Sequence, residues 1–343
     1  MYLLVSVPNE AFHKVMSLRA AQRRLGIETS VYRNSTDLLR GVERYFGGRL
    51  VLLDWEKCEI VASVPVPGAS GLALLEGAIY ASSWTDHSVH VIRPGKQRSC
   101  LSHPWFNHLH TAEPTEWGTL LIASAGIDLI LELSPEGELK WHWFGPDHGY
   151  SLPDSKRAVL DSETDYRVIR RGTSERAMHV TSAFPMNERT ILAALFRQGE
   201  IIAIDRVTGE TTLVKSGLLR PHGIHRRPGG YIASDTLGHR ILLFDEGLRL
   251  CSELPFGSQW LQDTIVTTAG SYVSLENVHI EQEPEPGLAN RVVELDALGR
   301  VVRQLTVPPD YRLFTVREAD PSLAQWLIDD WGGNGKLGGW VWN

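Results

Sequence analysis

Cysteine is scarce in this chain. Only Cys58, Cys100 and Cys251 occur in 343 residues, far apart and without a Cys-x-x-Cys pair. Such a set builds neither a disulfide framework nor a thiolate metal cluster, and it reads as free thiols of a reducing compartment, so a cytoplasmic location is expected. Runs of Lys or Arg are missing too, and the net charge is −7. Nucleic acid and anionic membrane are therefore not expected as partners. No apolar run reaches the ~18 residues of a membrane span. The opening Met1–Pro8 has no basic flank and too short an apolar run for a signal peptide, and it reads as a strand. Walker A, Gly-x-Gly-x-x-Gly, Gly-x-Ser-x-Gly and His-Glu-x-x-His motifs are all absent, so none of those short signatures assigns a chemistry.

What the chain does have is apolar content, 43% of residues, arranged in a repeat. Five segments share an apolar run, a polar turn often containing Asp or Gly, and a second apolar or β-branched run. They begin at Leu50, Leu129, Ile201, Ile241 and Val292, with a weaker sixth at Val89, and each reads as a β-hairpin. Before most of them lies a strand ending in small residues: Ile79–Ser83, Leu121–Ala125, Ile191–Leu195, Tyr231–Asp235 and Tyr272–Glu276. Ala81–Ile92 and Ala233–Phe244 align without a gap. A period of roughly 40 residues with about four short strands per unit predicts an all-β, six-bladed propeller. Blades are expected near 28–67, 68–106, 107–147, 176–218, 219–258 and 259–308 of a single domain spanning 1–343. A helix-like stretch, Asn9–Leu25, precedes the first, and residues 148–175 form an inserted loop. A Trp- and Gly-rich extension, 309–343, is expected to pack on the propeller, with Tyr2–Val7 helping to close the ring.

Used as a ruler, the repeat places histidines at the axis. Counting back from the small-residue strands puts Ser70, His110, His179, His222 and Asp263 at the start of successive innermost strands, with His108 on the same face as His110. Residues at equivalent places in a ring converge. Three imidazoles suit a divalent metal ion (Zn, Fe, Mn or Mg) and leave an open position for water or substrate. Asp263 is expected to support them, and Glu276 or His279 to transfer a proton. Tyr166 and Arg167 in the insertion, Arg197 after the fourth inner pair, Ser70 and His108 are candidates to touch substrate. The competing readings are ordinary: channel histidines bonded around water, a surface salt bridge at Arg167, a solvated Arg197, and Trp141 and Trp143 as packing between blades. The acidic loop 281–287 reads as solvated.

Arg220-Pro-His-Gly-Ile224, with Gly-Gly-Tyr-Ile-Ala-Ser-Asp235 and His239–Asp245, resembles an NHL-type repeat. More broadly the chain is similar to the propeller superfamily of gluconolactonases, virginiamycin B lyase, strictosidine synthase and peptidylglycine amidating lyase. That resemblance implies an enzyme acting on a small organic molecule at the channel mouth by elimination, hydrolysis or cyclisation. The amidating lyase implies zinc held by histidines of different blades, with His110, His179 and His222 as counterparts by arrangement. Strictosidine synthase implies a metal-free Pictet–Spengler cyclase, with Glu276 as a loose counterpart of its glutamate. A non-catalytic scaffold that binds partners with its rim is the reading from another class. The chain departs from these families in its N-terminal segment and its 148–175 insertion, and the oligomeric state is left open.

Overall fold

The computed structural model describes residues 1–12, 14, 47–150, 159–169, 177–257, 259–278, 289–333 and 337–342. His279, the acidic loop 281–287, most of the helix-like stretch 9–25, the first part of the expected first blade and parts of the 148–175 insertion lie outside these residues.

The strands form six radial antiparallel sheets. Strands β1 (Tyr2–Val7), β2 (Arg49–Asp54) and β3 (Glu59–Pro65) belong to blade 1. Blade 2 is β4 (Ala69–Leu75), β5 (Ala78–Ser83), β6 (Ser88–Arg93) and β7 (Gln97–Leu101). Blade 3 is β8 (Leu109–Pro114), β9 (Leu120–Ser124), β10 (Leu129–Leu133) and β11 (Leu139–Phe144). Blade 4 is β12 (Val180–Pro185), β13 (Thr190–Leu195), β14 (Glu200–Asp205) and β15 (Thr211–Lys215). Blade 5 is β16 (Pro221–Arg227), β17 (Gly230–Asp235), β18 (Arg240–Asp245) and β19 (Leu250–Pro255). Blade 6 is β20 (Trp260–Val266), β21 (Tyr272–Asn277), β22 (Asn290–Leu295) and β23 (Val301–Val307). The chain then returns to blade 1, where β24 (Val316–Ala319) pairs with β1 as its innermost strand. Helix α1 (Pro321–Trp331) follows, and β25 (Val341–Trp342) adds a fifth strand to blade 6.

Ring closure is therefore shared by the two ends of the chain, and the tail does more than pack on the propeller. It supplies one inner strand outright. Blade 1 draws on 2–7 and 316–319 together with 49–65, in place of the expected continuous 28–67.

The burial pattern explains why the hairpins were legible. Blades pack face to face, so the middle strands are covered on both sides and read as continuous apolar runs, such as Leu-Val-Leu-Leu in β2 and Leu-Leu-Ile-Ala in β9. The outermost strands β7, β15 and β19 are largely exposed and mix polar with apolar residues. Among the described residues no apolar cluster fills the axis. Six apolar clusters sit between neighbouring blades, anchored by side chains such as Trp55 (blades 1 and 6), Tyr80 (2 and 3), Trp143 (3 and 4) and Tyr231 (4 and 5). Each such large side chain contributes roughly 1.5–3 kcal/mol through burial. Because the wedges carry the packing, the axis is free to hold polar groups. Among the described residues no helix is long and apolar enough to cross a membrane.

Candidate active site at the channel mouth

All inner strands start at one face of the disc. The first residue of each pairs with the end of its neighbour: Ala69 with Ser83, Leu109 with Ser124, Val180 with Leu195, Pro221 with Asp235, and Trp260 with Asn277. The second residues are Ser70, His110, Thr181, His222 and Leu261. Ser70 and Thr181 play the same part, each placing its hydroxyl on the first carbonyl of the next inner strand, Leu109 at 2.8 Å and Pro221 at 2.6 Å. Immediately before the strands, Gly68, His108, His179 and Arg220 occupy a left-handed corner with φ of +62°, +49°, +53° and +62°.

Two positions thus depart from the expected ring. His179 is a corner residue, equivalent to His108 and Arg220, because the turn at 186–189 is shorter than the count allowed. Asp263 lies two residues deeper than His110 and His222, because the turn at 267–271 is longer.

The mouth is walled by rings in contact. Trp84 meets His108 edge-on at 5.1 Å between centroids, His108 lies 5.3 Å from His110, and His110 lies 4.8 Å from His179. His179 packs on Phe196 at 4.6 Å, Phe196 on His222 at 5.4 Å, and His222 on Trp260 at 5.6 Å. Phe314 closes over His110 at 5.3 Å. Arg220 lies over Phe196 at 4.6 Å, and Arg312 lies between Trp260 and Phe12, 5.3 Å from each.

His110 and His179 point Nε2 at Nε2, 3.1 Å apart. Both are buried, and burial is the main reason that both titrate low. His110 falls to about 3, helped by His222. His179 lies well below 6.5, helped by His110, His108, His222 and Arg197. His222 is lowered to about 4 by burial, with Arg312 and Arg220 adding to the effect and the Arg220 carbonyl opposing it. The three rings are neutral at neutral pH. A carbonyl only accepts, so His222 Nδ1–H donates to Arg220 O (2.9 Å), with the Thr236 hydroxyl at 2.8 Å, and Nε2 carries the lone pair. His110 Nδ1 and Trp84 Nε1 are buried without a partner. Buried polar atoms without protein partners are uncommon.

The corner bearing His179 is held by Asp128. Its carboxylate accepts the backbone N–H groups of Ala177 (2.9 Å), Met178 (3.3 Å) and His179 (2.7 Å). Gly223 explains the glycine after His222. With φ of +52°, a Cβ there would stand 2.3 Å from Asp263 Oδ1.

Two imidazoles bound to one tetrahedral ion at ~2.0–2.1 Å hold their nitrogens about 3.3 Å apart, which the His110–His179 pair approaches. His222 has its second nitrogen fixed by a carbonyl, as ligand histidines do. It stands one ring further round, beyond Phe196. Among the described residues no group of three or more His, Cys, Asp or Glu side chains is arranged around a single ion. The 3.1 Å contact is that of an N–H···N hydrogen bond between two neutral imidazoles and also close to the spacing of two ligands on one ion, while the third histidine does not converge on the pair.

Below the rings lies a second polar layer. His225 Nε2 is 2.6 Å from Asp263 Oδ1, Arg317 pairs with Glu113 and lies 3.7 Å from Asp263, and Val316 N–H donates to Asp263 at 3.0 Å. Burial pushes the Asp263 carboxyl up, but His225 and Arg317 outweigh it and the group ends below its usual value. At Glu113 burial wins over Arg317 and His225, and the carboxyl ends above it. A cavity of about 10 Å³, room for about one water, separates this layer from His222 and Phe314.

The structure gives other predicted residues different work. Ser70 is fully buried and latches blades 2 and 3. Glu276 is buried with its carboxylate on Arg291 and on the Gln259 N–H (3.3 Å), so it anchors the corner of blade 6 and does not line the mouth. Tyr166 packs in the cluster between blades 2 and 3, and Asn107 holds its carbonyl. Arg167 pairs with Asp165 at 2.7 Å at the surface. Arg197 stands exposed at the rim beside His179. His279 lies outside the described residues. Trp84, Phe196, Trp260, Arg312 and Phe314 on the wall, Arg220 and Asp128 at the corners, and Glu113, His225 and Arg317 below are not foreseen by the repeat pattern. Arg220 was visible only as part of the Arg-Pro-His-Gly motif.

No family model matches the chain, and no curated protein does either. Solved structures do match. One is a protein of unknown function from Bacteroides caccae, 17% identical, covering 78% of this chain and 93% of that one with a TM-score of 0.57. Another is virginiamycin B lyase from Staphylococcus aureus, 9% identical, covering 79% and 88% with a TM-score of 0.52. A third is a chain of a nidogen–laminin complex, 10% identical, covering 92% and 97% with a TM-score of 0.56. At these identities the likeness is one of fold. The likeness to virginiamycin B lyase is in the propeller fold that the resemblance implied, and no single family follows from it.

Proposed function

We propose that the mouth is the active site of an enzyme acting on a small organic molecule, and that His110 and His179, with His222 beside them, present neutral imidazoles to a divalent metal ion. The observation that carries this reading is the buried pair with Nε2 atoms 3.1 Å apart. A general base works best with a pKa near the working pH. Rings lowered to about 3 and about 4 are poor bases at neutrality but ready ligands, since a metal needs the neutral imidazole. When bound, the metal supplies Lewis acidity toward a carbonyl or an activated water. The chain's own contribution is positional. Asp128 fixes the His179 backbone, the Arg220 carbonyl fixes the His222 tautomer, and Phe196, Trp260 and Phe314 exclude water and offer an apolar wall. Elimination, hydrolysis and cyclisation all remain compatible with this arrangement. The fold does not choose the function by itself.

Metal analysis of the purified protein tests the reading. About one divalent ion per chain is expected, with His110→Ala and His179→Ala losing most of it and His222→Ala losing part. Wild-type protein that stays metal-free after incubation with Zn, Fe, Mn and Mg, yet turns over a small-molecule substrate, shifts the reading to a metal-free acid–base pocket. The Glu276→Gln variant then gauges the cyclase-like version, which the Arg291 pairing disfavours.

A further inference from the structure

The left-handed corner before each inner strand is a place where glycine sits without strain, as Gly68 does in blade 2. Blades 3, 4 and 5 instead place His108, His179 and Arg220 there, at a backbone cost of order 1 kcal/mol each. Two of these three line the mouth as histidines. Arg220 has the same backbone origin. Its guanidinium lies over the Phe196 ring at 4.6 Å, and the same ring touches His179 and His222. The charge is thus held on the wall. Among the described residues no carboxylate pairs with Arg220. The channel carboxylates Glu113 and Asp263 lie in the deeper layer, already engaged by Arg317 and His225. A cation presented over an aromatic face at the mouth is complementary to an anion on an apolar body.

We propose that the mouth selects small molecules carrying an oxyanion, a carboxylate or a phosphate ester, on an apolar or aromatic body, with Arg220 as the residue that seats the anion. This deepens the functional reading above and rests on it for the location of the substrate, but not on the metal.

The test uses full-length, chelator-treated protein with isotope-labelled histidines, so that no metal serves as the anion's partner. Benzoate, phenyl phosphate and benzamide are titrated while the ring signals of His179 and His222 are followed. Benzoate, phenyl phosphate or both should shift these signals saturably, and which one does so identifies the source of the oxyanion. Arg220→Gln should weaken that binding by about tenfold or more, while Arg249→Gln, which removes a surface arginine paired with Asp245, should leave it as in wild type. Benzamide binding as tightly as benzoate, or oxyanion binding indifferent to Arg220→Gln, overturns the proposal. If benzamide alone moves the rings, the mouth stands as a substrate site and only the oxyanion class fails. Silence from all three probes also sinks the oxyanion class, while metal content decides the enzyme reading separately.

Discussion

Three imidazoles buried without charge make this protein sensitive to acid. In the unfolded chain a histidine takes up its proton near 6.5, while folded His110 and His222 wait until about 3 and about 4, and His179 is lowered in the same direction. Between those values the unfolded state binds more protons, so stability rises with pH and is lost as pH falls from about 6.5 toward 4. Urea midpoints measured from pH 7 to pH 4.5 should fall steeply, and His110→Asn and His222→Asn should each flatten the slope by about one proton. An unchanged slope in both variants contradicts the neutral, buried rings. If a metal is held, adding it should move the acid limb to lower pH by mass action. Arg220 is the second residue-scale case. It is exposed and its backbone is strained, so Arg220→Gly should leave the protein as stable or up to ~1 kcal/mol more stable. A clear loss of stability in a denaturant melt means that the stacking on Phe196 outweighs the corner strain.

At the scale of elements, the mouth depends on how corners are held. The stretch 177–179 has no strand partner for its N–H groups, and one buried carboxylate, Asp128, gathers all three. Asp128→Ala should cost about 1.5–3 kcal/mol, as expected for charge-assisted hydrogen bonds left unmade. It should also release the His179 ring from His110, visible as loss of its low titration by NMR. Retention of that low titration would show that Phe196 packing alone orients the ring. The hairpins themselves were legible in the sequence because the middle strands of a blade are buried on both faces and leave unbroken apolar runs. The corner and turn lengths were not. The count that placed His179 in line with His110 and His222 assumed a longer turn than 186–189. The count that aligned Asp263 with them assumed a shorter one than 267–271.

For the whole molecule, the axis is held by charge where other folds use apolar packing. Glu113 of blade 3, His225 of blade 5, Asp263 of blade 6 and Arg317 of the C-terminal strand meet below the mouth. Arg317 arrives with β24, so the step that closes the ring also neutralises two buried carboxylates. Removing it strands them. Arg317→Met should cost about 3–5 kcal/mol, and Glu113→Gln in the same chain should recover part of the loss. Thermal melts of the two variants measure this directly, and an additive double variant would show that the network is not coupled.

The sequence by itself determined the six blades, four strands to each, and the presence of histidines near the axis. These follow from hydrophobic period and repeat length, which are local properties. Only the tertiary structure decided that β24 completes blade 1, because pairing across more than 300 residues leaves no local trace. It also decided that His110 meets His179 and not His222, that Glu276 belongs to Arg291, and that Asp263 belongs to His225 and Arg317. For the histidines and Asp263 at the axis the physical reason is register. A change of two residues in a turn moves a side chain one level along the channel, and at the axis one level separates the mouth from the charged layer beneath it.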